Sequence, residues 1–117
     1  MIPAERFRAG LRGEEQIAAF APATVANLSV GFDILALAIS EPGDTVIARI
    51  SEEEGVRIKS ISGDGGSLSL EASENTAGIA ALATLERTGL GVGIELELAK
   101  GLPVGSGLGS SAASAAA

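Results

Sequence analysis

Hydrophobic positions change their spacing along this chain, and each change marks an element. Val92–Ala99 alternates strictly, with Val92, Ile94, Leu96 and Leu98 on one side and Glu95 and Glu97 on the other. Period-two alternation predicts a strand with one dry and one solvated face, typical of an antiparallel sheet backed by helices. Val46–Ile50 and Val56–Ile61 predict two more strands, the second alternating as far as a break at Ser60. Gln16–Phe20 predicts a short strand ended by Ala21-Pro22-Ala23-Thr24, since proline has no amide donor and biases the residue before it. After residue 73 the spacing becomes helical: Ile79, Leu82, Ala83 and Leu85 fall near one face, Ser73 or Asn75 can cap, and Gly89 fits a C-terminal stop.

The remaining segments read as connections. Asn27–Asp33 is a mixed polar and apolar loop, and Ile34–Ile39 is an apolar run compatible with a buried strand or a short helix. Glu41-Pro42-Gly43-Asp44 has the order a type II turn requires. Gly63–Gly66 predicts another turn, with Leu68–Leu70 as a brief strand candidate. Residues 1–15 show no clear periodicity and read as an N-terminal extension. Residues 16–117 then form one unit of α+β layout, with no internal repeat and no dividing linker.

Composition narrows the chemistry. The chain has 117 residues, 46% of them apolar, enough for one globular domain with a modest core. It has three Phe and neither Trp nor Tyr, so the core must come from Ile, Leu, Val and Ala. Stacking platforms for nucleic acid are missing, and a formal charge of −7 opposes polyanions, so no nucleic-acid partner is expected. Any phosphate contact must be local, made by backbone amides and a few cations. The absence of Cys and His excludes disulfides, Cys/His metal sites and Ser-His or Cys-His catalytic pairs within these residues. It also points to a cytoplasmic setting. Arg6, Arg8 and Arg12 ahead of the apolar stretch Ile17–Ala26 imitate a signal peptide, but Glu14, Glu15 and Pro22 interrupt that pattern. No stretch approaches the roughly 20 apolar residues of a membrane span, so no membrane partner is expected.

The segment Pro103-Val-Gly-Ser-Gly-Leu-Gly-Ser-Ser-Ala-Ala113 carries the strongest chemical signal. Glycines at alternate positions let the backbone turn sharply and approach a ligand closely. The alanine-rich sequence after them predicts the first turn of a helix, whose unpaired N–H groups favour an anion such as phosphate. Three common phosphate loops do not fit. Walker A needs Lys after its last glycine, where Ser110 stands, and both the dinucleotide and protein-kinase loops need glycine at that position.

The segment resembles the phosphate-binding motif of the GHMP kinases, Pro-x-x-x-Gly-Leu-Gly/Ala-Ser-Ser-Ala/Gly-Ala. Pro103, Gly107, Leu108, Gly109, Ser110, Ser111, Ala112 and Ala113 match every defined position. Within that superfamily, Ala21-Pro-Ala-Thr-Val-Ala-Asn-Leu-Ser-Val-Gly-Phe-Asp-Ile-Leu35 resembles the opening motif of the homoserine kinases. Ser29 and Ala36 stand where glycine is more usual, which leaves the local backbone geometry open.

The resemblance implies the fold of a GHMP kinase N-terminal domain (ribosomal protein S5 domain 2-like). It also implies phosphoryl transfer from ATP, with Mg²⁺, to the hydroxyl of L-homoserine. It implies a nucleotide cradle from Pro103, Gly105, Ser106, Gly107, Leu108 and Gly109, with Ser110 and Ser111 offering hydroxyls to phosphate or to Mg²⁺. By the same resemblance Asn27 and Asp33 hold the amino-acid substrate, although both residues equally suit local loop or cap bonds. Asn75 is either a nucleotide contact or an N-cap. Lys100 is either a mobile charge near the phosphates or an exposed strand-end lysine. No general base is identified.

Family members are longer, so this chain is expected to be a truncated N-terminal portion, inactive alone. Its uncovered sheet surface would favour association, with a homodimer as the simplest form. Two alternatives stay open: a GHMP kinase acting on mevalonate, shikimate or pantoate, and a non-catalytic nucleotide-binding module.

Overall fold

The computed structural model describes residues 16–117; the extension expected over residues 1–15 lies outside them. Four strands form one mixed sheet: β1 (Gln16–Ala26), β2 (Ala36–Ser51), β3 (Gly55–Ser62) and β4 (Gly93–Ala99), in the order β1-β2-β4-β3. β1–β2 and β2–β4 are antiparallel, whereas β3–β4 is parallel, a departure from the antiparallel sheet the alternation suggested. Parallel neighbours need a crossover. Here it runs through a 3₁₀ turn at Ala72–Glu74 and helix α1 (Thr76–Thr88). A short helix α2 (Ser110–Ala116) follows the glycine loop.

The sheet has one apolar and one charged face, and the pairing register explains both. Val46 lies opposite Leu98, Ala48 opposite Leu96, and Ile50 opposite Ile94. All of these side chains except Ile50 pack, with Val56, Ile58 and Ile61 of β3, in one cluster with Ala77 and Ala81 of α1. The expected helix face is corrected: Ile79 and Leu82 are exposed, Ala77 and Ala81 sit toward the sheet, and Gly78 packs against the backbone of Ala72 in the 3₁₀ turn. Asn75 caps α1 by accepting the Ala77 amide at 3.1 Å, and Gly89 ends it in the left-handed conformation at φ 64°. A second cluster, Ala21, Ala23, Leu102 and Ala113, joins β1 to α2.

On the other face one rung crosses all four strands, with Gln16 opposite Arg49, Arg49 opposite Glu95, and Glu95 opposite Arg57. Arg49 donates to Gln16 and Glu97, Arg57 pairs with Glu95, and Lys59 reaches Glu97 at 3.2 Å and Glu95 at 3.5 Å. Glu95 and Glu97 are therefore an ion-pair network, not merely a solvated face.

Four further expectations are corrected. β1 does not stop at Pro22 but continues to Ala26. β1 is an edge strand and its register shifts between Pro22 and Thr24, which is where a sheet tolerates a missing donor. Glu41–Asp44 is no turn; it lies within the long strand β2, opposite that same irregularity. Leu68–Leu70 is not a strand, because the Asp64 carboxylate accepts the Gly66 and Leu68 amides and curls the segment locally. Finally, the apolar run at Ile34–Ile39 starts β2 only at Ala36 and is not buried, with Ile34, Leu35 and Leu37 all exposed.

Candidate functional site

The glycine loop begins where β4 ends. Gly105, Gly107 and Gly109 have φ of 74°, 74° and 71°, so left-handed residues alternate along the loop. A Cβ would strain each of these positions, and alternation of this kind turns successive amides toward one side to form an anion nest. Gly109 is also the N-cap residue of α2, and no side chain caps that helix. The contrast with α1 is informative: its N-terminus is closed by Asn75, while the α2 N-terminus faces the loop without a side-chain acceptor.

A cavity of about 180 Å³ lies between the two helix starts, lined by Asn75, Thr76, Lys100, Gly105, Ser110 and Ser111 among others. Thr76 Oγ1 donates to the Ser111 carbonyl at 3.1 Å, joining the two helix starts across its floor. Larger cavities of about 270 and 240 Å³ lie elsewhere, between the apolar sheet face and α1 near Ile17. Their walls are mainly aliphatic, and the donors that border them are already engaged: Thr84 and Thr88 on helix carbonyls, Ser114 on Asp44 and Arg49 on Glu97.

Not every residue expected at the site has the expected role available. Asn75 is buried, and its amide is engaged at both ends, accepting from Ala77 and donating from Nδ2 to the Ser69 carbonyl at 3.0 Å. Leu108 packs against the Ala21–Leu102 cluster, and its carbonyl accepts the Thr24 amide at 2.9 Å, so its side chain anchors the loop. Ser106 donates its amide weakly to Pro103 at 3.4 Å. Asn27 and Asp33 do not line the cavity. They lie on the exposed loop after β1, where Asn27 Oδ1 accepts the Asp33 amide at 2.8 Å, and both adopt positive φ.

Lys100 is the clearest correction, being neither exposed nor a mobile charge. Its ammonium pairs with Asp44, and the two side chains are 2% and 1% exposed. It also donates to the Ser110 carbonyl at 3.0 Å and to Ser114 Oγ at 2.6 Å. Burial on its own would push the Asp44 carboxyl up. The hydrogen bonds from Lys100, Ser114 and the Leu102 amide, with the Lys100 charge, outweigh burial and hold it below its ordinary value. Sequence reasoning missed Asp44 because it sat inside an apparent turn, and missed Ser114 altogether. A usable signal existed: Asp44 continues the period-two series of Val46, Ala48 and Ile50, and Ser114 follows Ser110 by one helical turn.

The other cations on the sheet, Arg49, Arg57 and Lys59, are paired on the opposite face. Gly105 alone of the three loop glycines lines the cavity, and Glu74 lines it too, so an anion there would meet hydroxyls and loop backbone beside a carboxylate, with no unpaired lysine or arginine among the lining residues.

Comparison with known proteins agrees with this geometry. Residues 75–117 match the family model described as GHMP kinases N terminal domain. Over these residues the chain carries the N-terminal domain of the GHMP kinases. It is 52% identical over 108 residues to a homoserine kinase of Chlorobium phaeobacteroides, covering 84% of this chain and 34% of that protein. The crystal structure of a homoserine kinase from Cytophaga hutchinsonii matches with a TM-score of 0.84 and 53% identity, over 90% of this chain and 33% of that one. The mevalonate kinase of Methanococcus jannaschii shares the fold, with a TM-score of 0.60 at 17% identity, over 89% of this chain and 38% of that one. The chain thus spans about a third of the length of the curated relatives it matches. The α+β expectation stands, with the sheet mixed and helices on one face. Among the described residues no helix is long and apolar enough to cross a membrane.

Proposed function

We propose that residues 16–117 form part of the ATP-binding domain of a cytoplasmic homoserine kinase, which transfers the γ-phosphoryl group of ATP to the hydroxyl of L-homoserine. The observation that carries this reading is the uncapped α2 N-terminus behind three left-handed glycines, beside a cavity lined by Thr76, Ser110 and Ser111 among others. The identity of about 50% to homoserine kinases supports that acceptor over mevalonate, shikimate or pantoate.

In this reading the backbone from Pro103 to Gly109 wraps the triphosphate, with amides of Gly105, Gly107 and Gly109 as donors, and that of Ser106 joining them by giving up its weak bond to Pro103. Leu108 and Asn75 hold the cradle in shape. Asn27 and Asp33 bind the amino acid, the carboxylate of Asp33 matching its ammonium. Mg²⁺ keeps most of its water and takes few protein ligands, so one hydroxyl from Ser110 or Ser111 beside the phosphates fits it. Among the described residues no cluster of three acidic side chains exists to hold the ion alone. When bound, the ion supplies the charge neutralisation that this cavity lacks. Positioning of the two substrates is what the chain itself contributes. The open apolar groove beside Ile17 supports association of the isolated chain into a homodimer.

The test uses the full-length polypeptide that carries this chain. ADP release should depend on L-homoserine and Mg²⁺, and the 117-residue chain alone should give none. Turnover with mevalonate, shikimate or pantoate in preference to homoserine would replace the acceptor. ATP binding without ADP release on any of these alcohols would make the protein a nucleotide-binding module.

A further inference from the structure

The buried pair Lys100–Asp44 joins the two ends of the glycine loop. An ammonium has three donors, and Lys100 uses all of them, on Asp44 Oδ2, the Ser110 carbonyl and Ser114 Oγ. Ser114 passes its own hydrogen to Asp44 Oδ2 at 2.8 Å. Asp44 Oδ1 accepts the amides of Gly101 at 3.0 Å and Leu102 at 3.1 Å. The network is closed, and no buried side-chain nitrogen or oxygen is left unpartnered among the described residues.

Its anchor points have a pattern. Gly101 and Leu102 form the stem by which the chain enters the loop, and Ser110 and Ser114 belong to the helix by which it leaves. A buried ion pair is a poor source of net stability, because desolvation offsets attraction and an apolar substitute is often as stable. What it fixes well is direction. Removing one partner leaves an uncompensated charge, so the network has one good arrangement and no near alternative.

We propose that Asp44, Lys100 and Ser114 are positioning residues that staple the two stems of the phosphate loop at one separation, and that Lys100 is not itself a phosphate ligand. This rests on the loop binding ATP as proposed above. The staple presets the amide array before nucleotide arrives, so its loss is felt at the phosphates and not at the base or at the acceptor.

The test measures the KM for ATP, kcat and the inhibition constant of adenosine in the full-length enzyme. Asp44→Asn and Lys100→Met should each raise the KM for ATP about ten-fold or more, the scale expected when reacting groups are slightly misplaced. kcat at saturating ATP and adenosine affinity should change far less. The double variant should be no worse than either single one, since all three remove the same interaction. Direct ligation by Lys100 would give a different pattern: Lys100→Met would weaken ATP, while Asp44→Asn, by freeing the ammonium, would leave or tighten it. That pattern overturns the proposal. So does a fall in melting temperature with an unchanged KM for ATP. Should both charge variants fail to fold, Ser114→Ala removes only a hydroxyl and should still raise the KM about three-fold, on the same misplacement logic; no rise would overturn the staple. A wild-type enzyme without ATP turnover refutes the kinase reading itself, whereas a working enzyme with indifferent variants refutes the staple alone.

Discussion

Replacing Gly109 by alanine probes the tightest point of the loop. Gly109 sits at φ 71° and ψ 26°, and placing an L-residue in that left-handed region costs about 1–2 kcal/mol. The new Cβ would also run into Thr24 Oγ1, while the next atoms, Thr24 Cβ at 3.5 Å and N at 3.6 Å, are in ordinary contact. Rotating Thr24 helps little, since two of the three staggered positions at its branched Cβ carry a heavy atom. Backing the strand away would break the Thr24–Leu108 backbone bond of 2.9 Å. Overpacking of this kind costs about 1–3 kcal/mol, for a total of about 2–5 kcal/mol. Gly105 is the control: its φ is 74°, but nothing lies within 4 Å of a built Cβ, so alanine there should cost about 1–2 kcal/mol. Adding Thr24→Ala to Gly109→Ala removes the colliding oxygen and should recover about 1–3 kcal/mol, the overpacking share. Urea unfolding followed by far-ultraviolet circular dichroism measures all four proteins, since the chain has neither Trp nor Tyr. Equal costs at Gly105 and Gly109, or no recovery from Thr24→Ala, would refute the packing described for this turn.

Other perturbations report on separate parts of the structure. Asn75→Ala should destabilise by about 1–2 kcal/mol, because the α1 cap is lost and the Ser69 carbonyl loses its donor; Asn75→Ser keeps a cap acceptor without adding a charge and should cost less in the same unfolding assay. Acid should weaken the fold. Hydrogen bonds from Arg57 hold the Glu95 carboxyl low, those from Arg49 and Lys59 do the same for Glu97, and Asp44 is held low by its network. Groups with lowered native values give stability that is complete above their ordinary range near pH 4 and is lost as pH falls through the native values. Urea midpoints from pH 7 to 3 should therefore decline, and less steeply in Asp44→Asn; a stability that rises on acidification would contradict this. The isolated chain should sediment as a homodimer, and Ile17→Glu in the open groove should return it to a monomer; an unchanged mass would show that this surface is not where it associates.

Much of the fold was legible because local physics and tertiary packing agree there. The alternation at Val92–Ala99 marks β4, the Asn75 and Gly89 signals bound α1, and the alternate glycines mark a loop of left-handed residues. Legibility failed where pairing overrode local preference. Pro42-Gly43 has turn chemistry, but Gly43 pairs with Pro22 of β1 and both residues lie within β2. The apolar run Ile34–Ile39 looked buried, yet nothing in the described fold covers Ile34, Leu35 or Leu37. At the site, the loop was visible as a motif, while its support was not. Asp44 lies 56 residues before Lys100 and 70 before Ser114, and no periodicity links positions so far apart. A lysine beside a phosphate motif invites a direct contact; only its three bonded partners show that it faces inward.

The central claim is that main-chain amides of the glycine loop hold a triphosphate. Amide chemical shifts of the ¹⁵N-labelled chain, titrated with a non-hydrolysable ATP analogue and magnesium, test it most directly. The account predicts saturable shifts concentrated at Gly105, Ser106, Gly107, Gly109, Ser110 and Ser111, reproduced by inorganic triphosphate and absent with adenosine. Shifts elsewhere with those amides unmoved, or an equal response to adenosine, would contradict it.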